Sequence, residues 1–299
     1  MASCFGRKIF FLNPTYSVKK DIVSDLEKNE YEVYVIENYR DAKNLLMKNP
    51  DSILFINADA QLSVGAWYNF VRTLERDETL ATTITAIMTE RMKQSDKDLF
   101  VKTAHLRGGI IDFDDGLSSV AKKINEILLA FDAKGRRQYV RANLVYDRDA
   151  SLFWNHGSKM HQLKLLDISS VGMAVKIPKV LENQIIVKNF LLNGGTLRLG
   201  TRQLVVDTVV YAVKQSTDCT IWVLLLMPGT SPTVKDEIRH YVTKTMHETL
   251  LLSINGDRKD ESDYNLLNYY NLATKQKPMT TASKSTFVSP FSHIPGFNG

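Results

Sequence analysis

Lys134-Gly-Arg136-Arg137-Gln-Tyr-Val-Arg141 is the stretch at which the chain changes character. Before it, short apolar runs alternate with helical stripes. After it, apolar residues recur every second position. The stretch also concentrates charge, with three guanidiniums in six residues. Each is a planar fork of donors that stays charged at any working pH, which suits phosphate. Gly135 and the β-rich run that follows argue against a long helix. Arg137 and Arg141 therefore fall in a turn or irregular lead-in, from which both can close over one ligand. Downstream, Asp167-Ile-Ser169-Ser170-Val-Gly172 offers complementary chemistry. Asp167 accepts two donors, and Ser169 both donates and accepts. Gly172 permits close approach of a ligand or of another backbone.

Upstream, Lys8–Leu12, Tyr31–Ile36, Ile53–Ile56, Ile84–Met88 and Gly109–Ile111 read as strands. Ile53–Ile56 is short and continuously apolar rather than alternating, as a parallel central strand is. Between them lie helical stripes: Val18, Ile22, Val23 and Leu26; then Ala42, Leu45 and Leu46, stopping before Pro50; then Trp67, Phe70, Val71 and Leu74. A weak helix holds Leu99 and Phe100, and a strong one runs from Val120 to Phe131. Five βα repeats predict a doubly wound parallel sheet over residues 1–131. Residues 132–142 are a linker carrying the arginines.

From residue 143 to 254 the period is two. Leu144, Tyr146, Leu152 and Trp154 suggest a strand and its continuation. Leu163 and Leu165 precede the Asp167 bend, and Met173, Val175 and Ile177 follow it. Ile185–Leu192 reads as a strand closed by Asn193-Gly194-Gly195. Leu204 to Ala212 and Thr220 to Met227 complete a small antiparallel barrel. Ser231 and Pro232 then begin a helix, with serine as cap and proline at the first position. Its stripe of Val234, Ile238, Val242, Met246 and Leu250 is expected to lie across the barrel. Residues 255–299 are polar, with scattered phenylalanines, and are expected to form a flexible tail.

Arg137-xxx-Arg141 followed by Asp167-x-Ser169-xx-Gly172 resembles the paired motif of PilZ domains, bacterial receptors for cyclic di-GMP. The likeness spans Lys134 to Ile254. It implies that Arg137 and Arg141 clasp phosphates, with Arg136 as an auxiliary contact. It also implies that Asp167 and Ser169 read a guanine edge and that Gly172 allows close approach. The first third resembles the receiver domain of response regulators through Pro50–Ile56 and Gly65-x-Trp67. It departs from that family where the chemistry lies. Asn13 and Pro14 stand in place of the acidic pair, Ile56 and Asn57 in place of the phosphorylated aspartate, and Asp112 in place of the lysine. A degenerate receiver used for docking or dimerisation is implied. The competing reading is a new acidic site built from Asp59, Asp112, Asp114 and Asp115.

Composition limits the alternatives. The net charge of +5 is mild and does not form a long basic stripe, so no nucleic-acid polymer is expected as partner. Cys4 and Cys219, the only cysteines, make no disulfide framework. No apolar run reaches spanning length, and a cytoplasmic location is expected. His240 and His247 lie about 10 Å apart along their helix, too far for one ion. No metal, cofactor or catalytic constellation is legible, and enzyme activity has no support. The expected function is a cyclic di-GMP receptor whose ligand, bound at the domain junction, reorients the receiver-like domain towards a protein partner. The partner would dock on that domain or on the tail. Two alternatives are a structural protein that binds no nucleotide and a phosphorylated response regulator.

Overall fold

The computed structural model describes residues 6–136, 138–178, 181, 187–215, 219–254 and 269–275. Its first domain is a five-stranded, wholly parallel sheet. The strands are β1 (Lys8–Leu12), β2 (Val33–Ile36), β3 (Ser52–Asn57), β4 (Ile84–Thr89) and β5 (Gly109–Asp112), in the order β2-β1-β3-β4-β5. Helices cover both faces. α1 (Ser24–Lys28) continues a π-helical turn, Val18–Val23. It is followed by α2 (Tyr39–Lys48), α3 (Val64–Arg76), α4 (Gln94–Thr103) and α5 (Gly116–Ala130). Every residue of β3 and β4 is buried, which explains why these strands carry no polar alternation. Two apolar layers result. Phe10, Leu54, Trp67 and Phe70 lie on one side of the sheet, and Phe11, Phe55, Ile84 and Ile124 on the other.

The second domain is a closed antiparallel barrel. Its strands are β7 (Ala150–His156), β8 (Lys159–Ser169), β9 (Gly172–Lys176), β10 (Leu191–Leu199), β11 (Arg202–Gln215) and β12 (Thr220–Leu226). Neighbours run β8-β7-β10-β11-β12-β9, and β8 pairs again with β9 to close the ring. Closure removes the exposed edges that an open sheet of this size would carry. A two-residue strand, β6 (Ala142–Asn143), adds to β8 opposite Asp167 and Ile168. The interior holds Leu152, Leu163, Leu197, Val210 and Leu224 around an edge-to-face pair, Trp154 and Trp222.

Four local expectations are revised. Leu144 and Tyr146 do not prolong a strand into β7: Val145 and Tyr146 form a turn, and Tyr146 is almost wholly exposed. Ile185 lies outside the described residues, and β10 begins only at Leu191. Asn193-Gly194-Gly195 does not close a hairpin. It is a bulge inside β10, with Gly194 at positive φ, and the hairpin turns instead at Gly200-Thr201. Asp167 is not in the bend either. It belongs to β8, beside a register shift after Leu165, and the bend is Ser170-Val171.

The last long helix, α6 (Pro232–Ile254), is capped as expected, with Ser231 Oγ accepting from Val234 N at 3.3 Å. It does more than lie across the barrel. Ile238 and Val242 pack into the barrel core, Leu250 packs into the first domain, and Met246 touches both. One apolar stripe thus fastens two domains. In the stretch read as a tail, Tyr269–Lys275 forms a further helix, α7, on α3 and α4. Tyr270 is held there twice, its backbone N by Asn69 Oδ1 at 2.9 Å and its hydroxyl by Asp96 Oδ1 at 2.8 Å. Residues 255–268 and 276–299, including Phe287, Phe291 and Phe297, lie outside the described residues.

Candidate functional site

The linker is tied to the first domain at its start. Ala133 O accepts from Arg7 N at 2.7 Å, and Lys134 Nζ donates to Asn29 O at 2.8 Å while lying over the Tyr31 ring. Asp132 and Gly135 sit at positive φ, so residues 131–136 coil through successive turns rather than extending α5. This carries Arg136 to an exposed position. Arg137 lies outside the described residues. Arg141, just before β6, is drawn towards β8, and its Nη1 lies 3.9 Å from Asp167 Oδ1. The side chains are 49% and 36% exposed, so the pair is loose and wet. A pair like this adds about 0–1 kcal/mol to stability, and both groups keep most of their capacity for other partners.

Ser169 and Gly172 are also brought together, by the β8–β9 bend. Ser169 is 1% exposed, and its hydroxyl donates to Gly172 O at 3.1 Å. Gly172 is needed because another backbone crosses it: a Cβ there would meet Leu224 O of β12 at 2.3 Å. Of the two uses the sequence allows for this glycine, the one described is strand against strand.

Sequence reasoning missed a carboxylate at the centre of the junction. Glu30, following α1, takes a left-handed conformation with φ at +62°. That is a costly choice for a side chain with a Cβ, and such strain collects where tertiary contacts dictate it. Here they do. Glu30 Oε1 accepts from Ser170 Oγ at 2.5 Å and from Arg239 Nε at 2.9 Å, and Oε2 accepts from Val140 N at 3.1 Å. The linker, the β8–β9 bend and α6 therefore converge on one side chain of the first domain. Ser170 is the residue after Ser169, and Val140 the residue before Arg141. Burial in the same seam lifts the carboxyl of neighbouring Glu27 above its usual value. No local pattern in the sequence marks Glu30. Only its place beside the motif in space does.

The barrel is similar to solved PilZ structures. The PilZ domain of YcgR from Escherichia coli, solved with c-di-GMP, matches at 12% identity, with 40% of this chain covering 98% of that one and a TM-score of 0.36. Bacillus subtilis MotI, an inhibitor of motility, matches at 18% identity over 38% of this chain and 52% of that one, with a TM-score of 0.32. PlzA from Borreliella burgdorferi, in complex with c-di-GMP, matches at 14% identity over 44% and 58%, with a TM-score of 0.24. The chain thus spans only about half the length of the MotI and PlzA structures it matches. No family model and no curated protein matches this sequence.

The polar end of the first domain is built differently. At the C-terminal ends of β1 and β3, amides bond to one another, and Asn13 Nδ2 is left without a partner among the described residues. Asn57 Nδ2 donates to Asn13 O at 2.8 Å, and Gln61 Nε2 donates to Asn13 Oδ1 at 3.1 Å. Asp59 accepts from Thr89 Oγ1 at 2.7 Å and from Glu90 N at 2.6 Å. Asp112, in the lysine's place on β5, is paired with Lys97 of α4, whose hydrogen bond holds its carboxyl below the usual carboxylate range. Asp115 faces Lys123 at 4.0 Å. Asp59, Asp112 and Asp115 thus have separate partners instead of one centre. Among the described residues, no group of three metal-ligating side chains is placed to hold an ion. No described helix is long and apolar enough to cross a membrane.

Proposed function

We propose that this protein is a receptor for cyclic di-GMP, with its site on the barrel where linker and β8 meet. The observation that carries the reading is the Arg141–Asp167 pair. A phosphate-binding fork and a base-reading acceptor, 26 positions apart in sequence, face one another half-exposed at the mouth of the domain junction. Arg137 and Arg141 clasp the phosphates, and Arg136 assists from its exposed turn. Asp167 accepts from a guanine edge. Ser169 and Gly172 give the bend its shape, the serine through its bond to the Gly172 carbonyl.

Binding reorients the domains because the site and the Glu30 hub share backbone. Drawing Arg141 and the bend onto a ligand moves Val140 and Ser170, two of the three donors to Glu30. A ligand that prefers one arrangement then shifts the balance between two. The rearranged first domain is the surface offered to a protein partner.

Titration calorimetry with cyclic di-GMP, run against cyclic di-AMP, tests the site. Truncating one side of a desolvated charged contact costs about 2–5 kcal/mol, and a decade of affinity is about 1.4 kcal/mol. Arg137→Ala and Arg141→Ala should each weaken binding at least about tenfold. Unchanged heats in both would remove the assignment. Small-angle scattering with and without ligand tests the switch, and superimposable curves would refute it while leaving the binding intact.

A further inference from the structure

Beside Arg141, a cleft of about 370 Å³ opens between the two domains. Its walls come from elements far apart in sequence: β1 and α2 of the first domain, β6 and its lead-in, and the C-terminal half of α6. Three cations line it, namely Lys8, Lys48 and Arg141, against one carboxylate, Glu32. Glu32 is already engaged, with Lys8 Nζ at 3.8 Å and the Tyr34 hydroxyl donating to it at 2.7 Å. The formal balance is three positive charges less one negative, or +2. Tyr34 stays a neutral donor, because burial and the adjacent Glu32 hold its phenol above its ordinary value. Lys48 is the outermost of the lysines and reaches across the junction to the Ser253 carbonyl of α6. Asn143, the cross-strand partner of Asp167, also faces the cleft.

We infer that this cleft receives a phosphate-bearing part of the nucleotide, with Lys8 and Lys48 of the first domain supplying the wall opposite Arg141. The inference rests on the proposed receptor function and deepens it: the first domain is part of the binding site as well as the part that moves. Three features support it. The excess charge is positive and is contributed from both sides of the junction. The volume lies within the range of small-molecule sites, roughly 300–1,000 Å³. The remaining wall combines apolar Met246 and Leu250 with the hydroxyl of Thr249, a surface that suits a base and sugar. Arg141 belongs to both the cleft and the Asp167 pair, so one ligand can span them. A phosphate bridging Arg141 and the lysines would hold the domains in a particular arrangement by direct contact.

The test uses the full chain, cyclic di-GMP, and titrations at two salt concentrations. Lys48→Gln and the Lys8→Gln, Lys48→Gln double variant should weaken binding about fivefold and twentyfold, and should flatten the salt dependence, since fewer cations meet phosphate. Lys48→Arg, which keeps the charge, should recover most of the affinity. Lys122→Gln, on the exposed face of α5, should change nothing. If the wild type binds and the double variant binds equally well, the cleft is not part of the site, although the receptor reading survives. If Lys122→Gln costs as much as Lys48→Gln, only general attraction is at work and the inference is overturned. If the wild type does not bind, the receptor reading itself falls, and this inference with it.

Discussion

The two domains each present a polar end, and the two ends are finished in opposite ways. At the polar end of the first domain, these side chains already have protein partners: Asn13 with Asn57 and Gln61, Asp59 with Thr89, and Asp112 with Lys97. At the barrel end, Arg141 and Asp167 meet at 3.9 Å and stay wet, while packing and backbone bonds hold the bend beneath them. The contrast shows how readiness for a ligand differs from polarity as such. A group already satisfied inside the protein must lose a bond before it can take a ligand. A half-exposed group in a loose pair loses little.

The sharpest way to break this comparison is to damage the packing under the open end. Gly172→Ala drives a methyl into the Leu224 carbonyl. It should cost about 1–3 kcal/mol in denaturant unfolding, as overpacking does. By contrast, Arg141→Ala should change stability by no more than about 0–1 kcal/mol, while still weakening the nucleotide. If instead Arg141→Ala destabilises strongly and Gly172→Ala is neutral, the end is held by its charges and is not open at all.

A smaller effect is expected at the seam. Ser170→Ala removes one of three donors to Glu30 and should cost about 1 kcal/mol. The loss should appear as faster amide exchange near Val140 and at the end of α1, with the barrel interior unchanged. Uniform loosening of both domains would mean that Glu30 serves overall stability and not the junction.

The smallest effect should come from the closed end and depends on pH. Lys97 depresses the folded-state pKa of Asp112, so the pair's contribution is present above the unfolded aspartate's pKa, about 3.9. It is lost as pH falls through the lower folded value. Lys97→Met should therefore lower stability at neutral pH and make the fall below about pH 4 shallower than in the wild type. An identical acid limb in both proteins would show that this end is not neutralised as described.

How much was legible in advance follows the range of the forces involved. The parallel sheet could be read because short apolar runs such as Ile53–Ile56 alternate with helical stripes. The barrel could be read from alternation, and the helix cap from Ser231 and Pro232. The errors fell where short-range signals compete. Asn193-Gly194-Gly195 has turn chemistry, yet the pairing of β10 with β11 and β7 absorbs it as a bulge. Alternation through Leu144 and Tyr146 mimics a strand, but the bonding to β8 ends at Leu144, whose N donates to Leu166 O, and the chain turns at Val145-Tyr146. The aromatic patch before Lys275 has the polarity of a tail, and docking on α3 turns its tyrosines into a helix face.

The order of residues by itself determined two domains, their strand types and the chemical identity of the candidate ligand groups, because periodicity and side-chain chemistry are local properties. Only the tertiary structure decided that Arg141 faces Asp167, that Glu30 gathers donors from three places, and that Lys8 and Lys48 share a cleft with the arginine. Those facts depend on how the domains dock. Docking is set by the stripe from Ile238 through Met246 to Leu250, which packs on both cores at once. Apolar burial carries no direction of its own, so the stripe could be seen in the sequence, but not the two surfaces it would join.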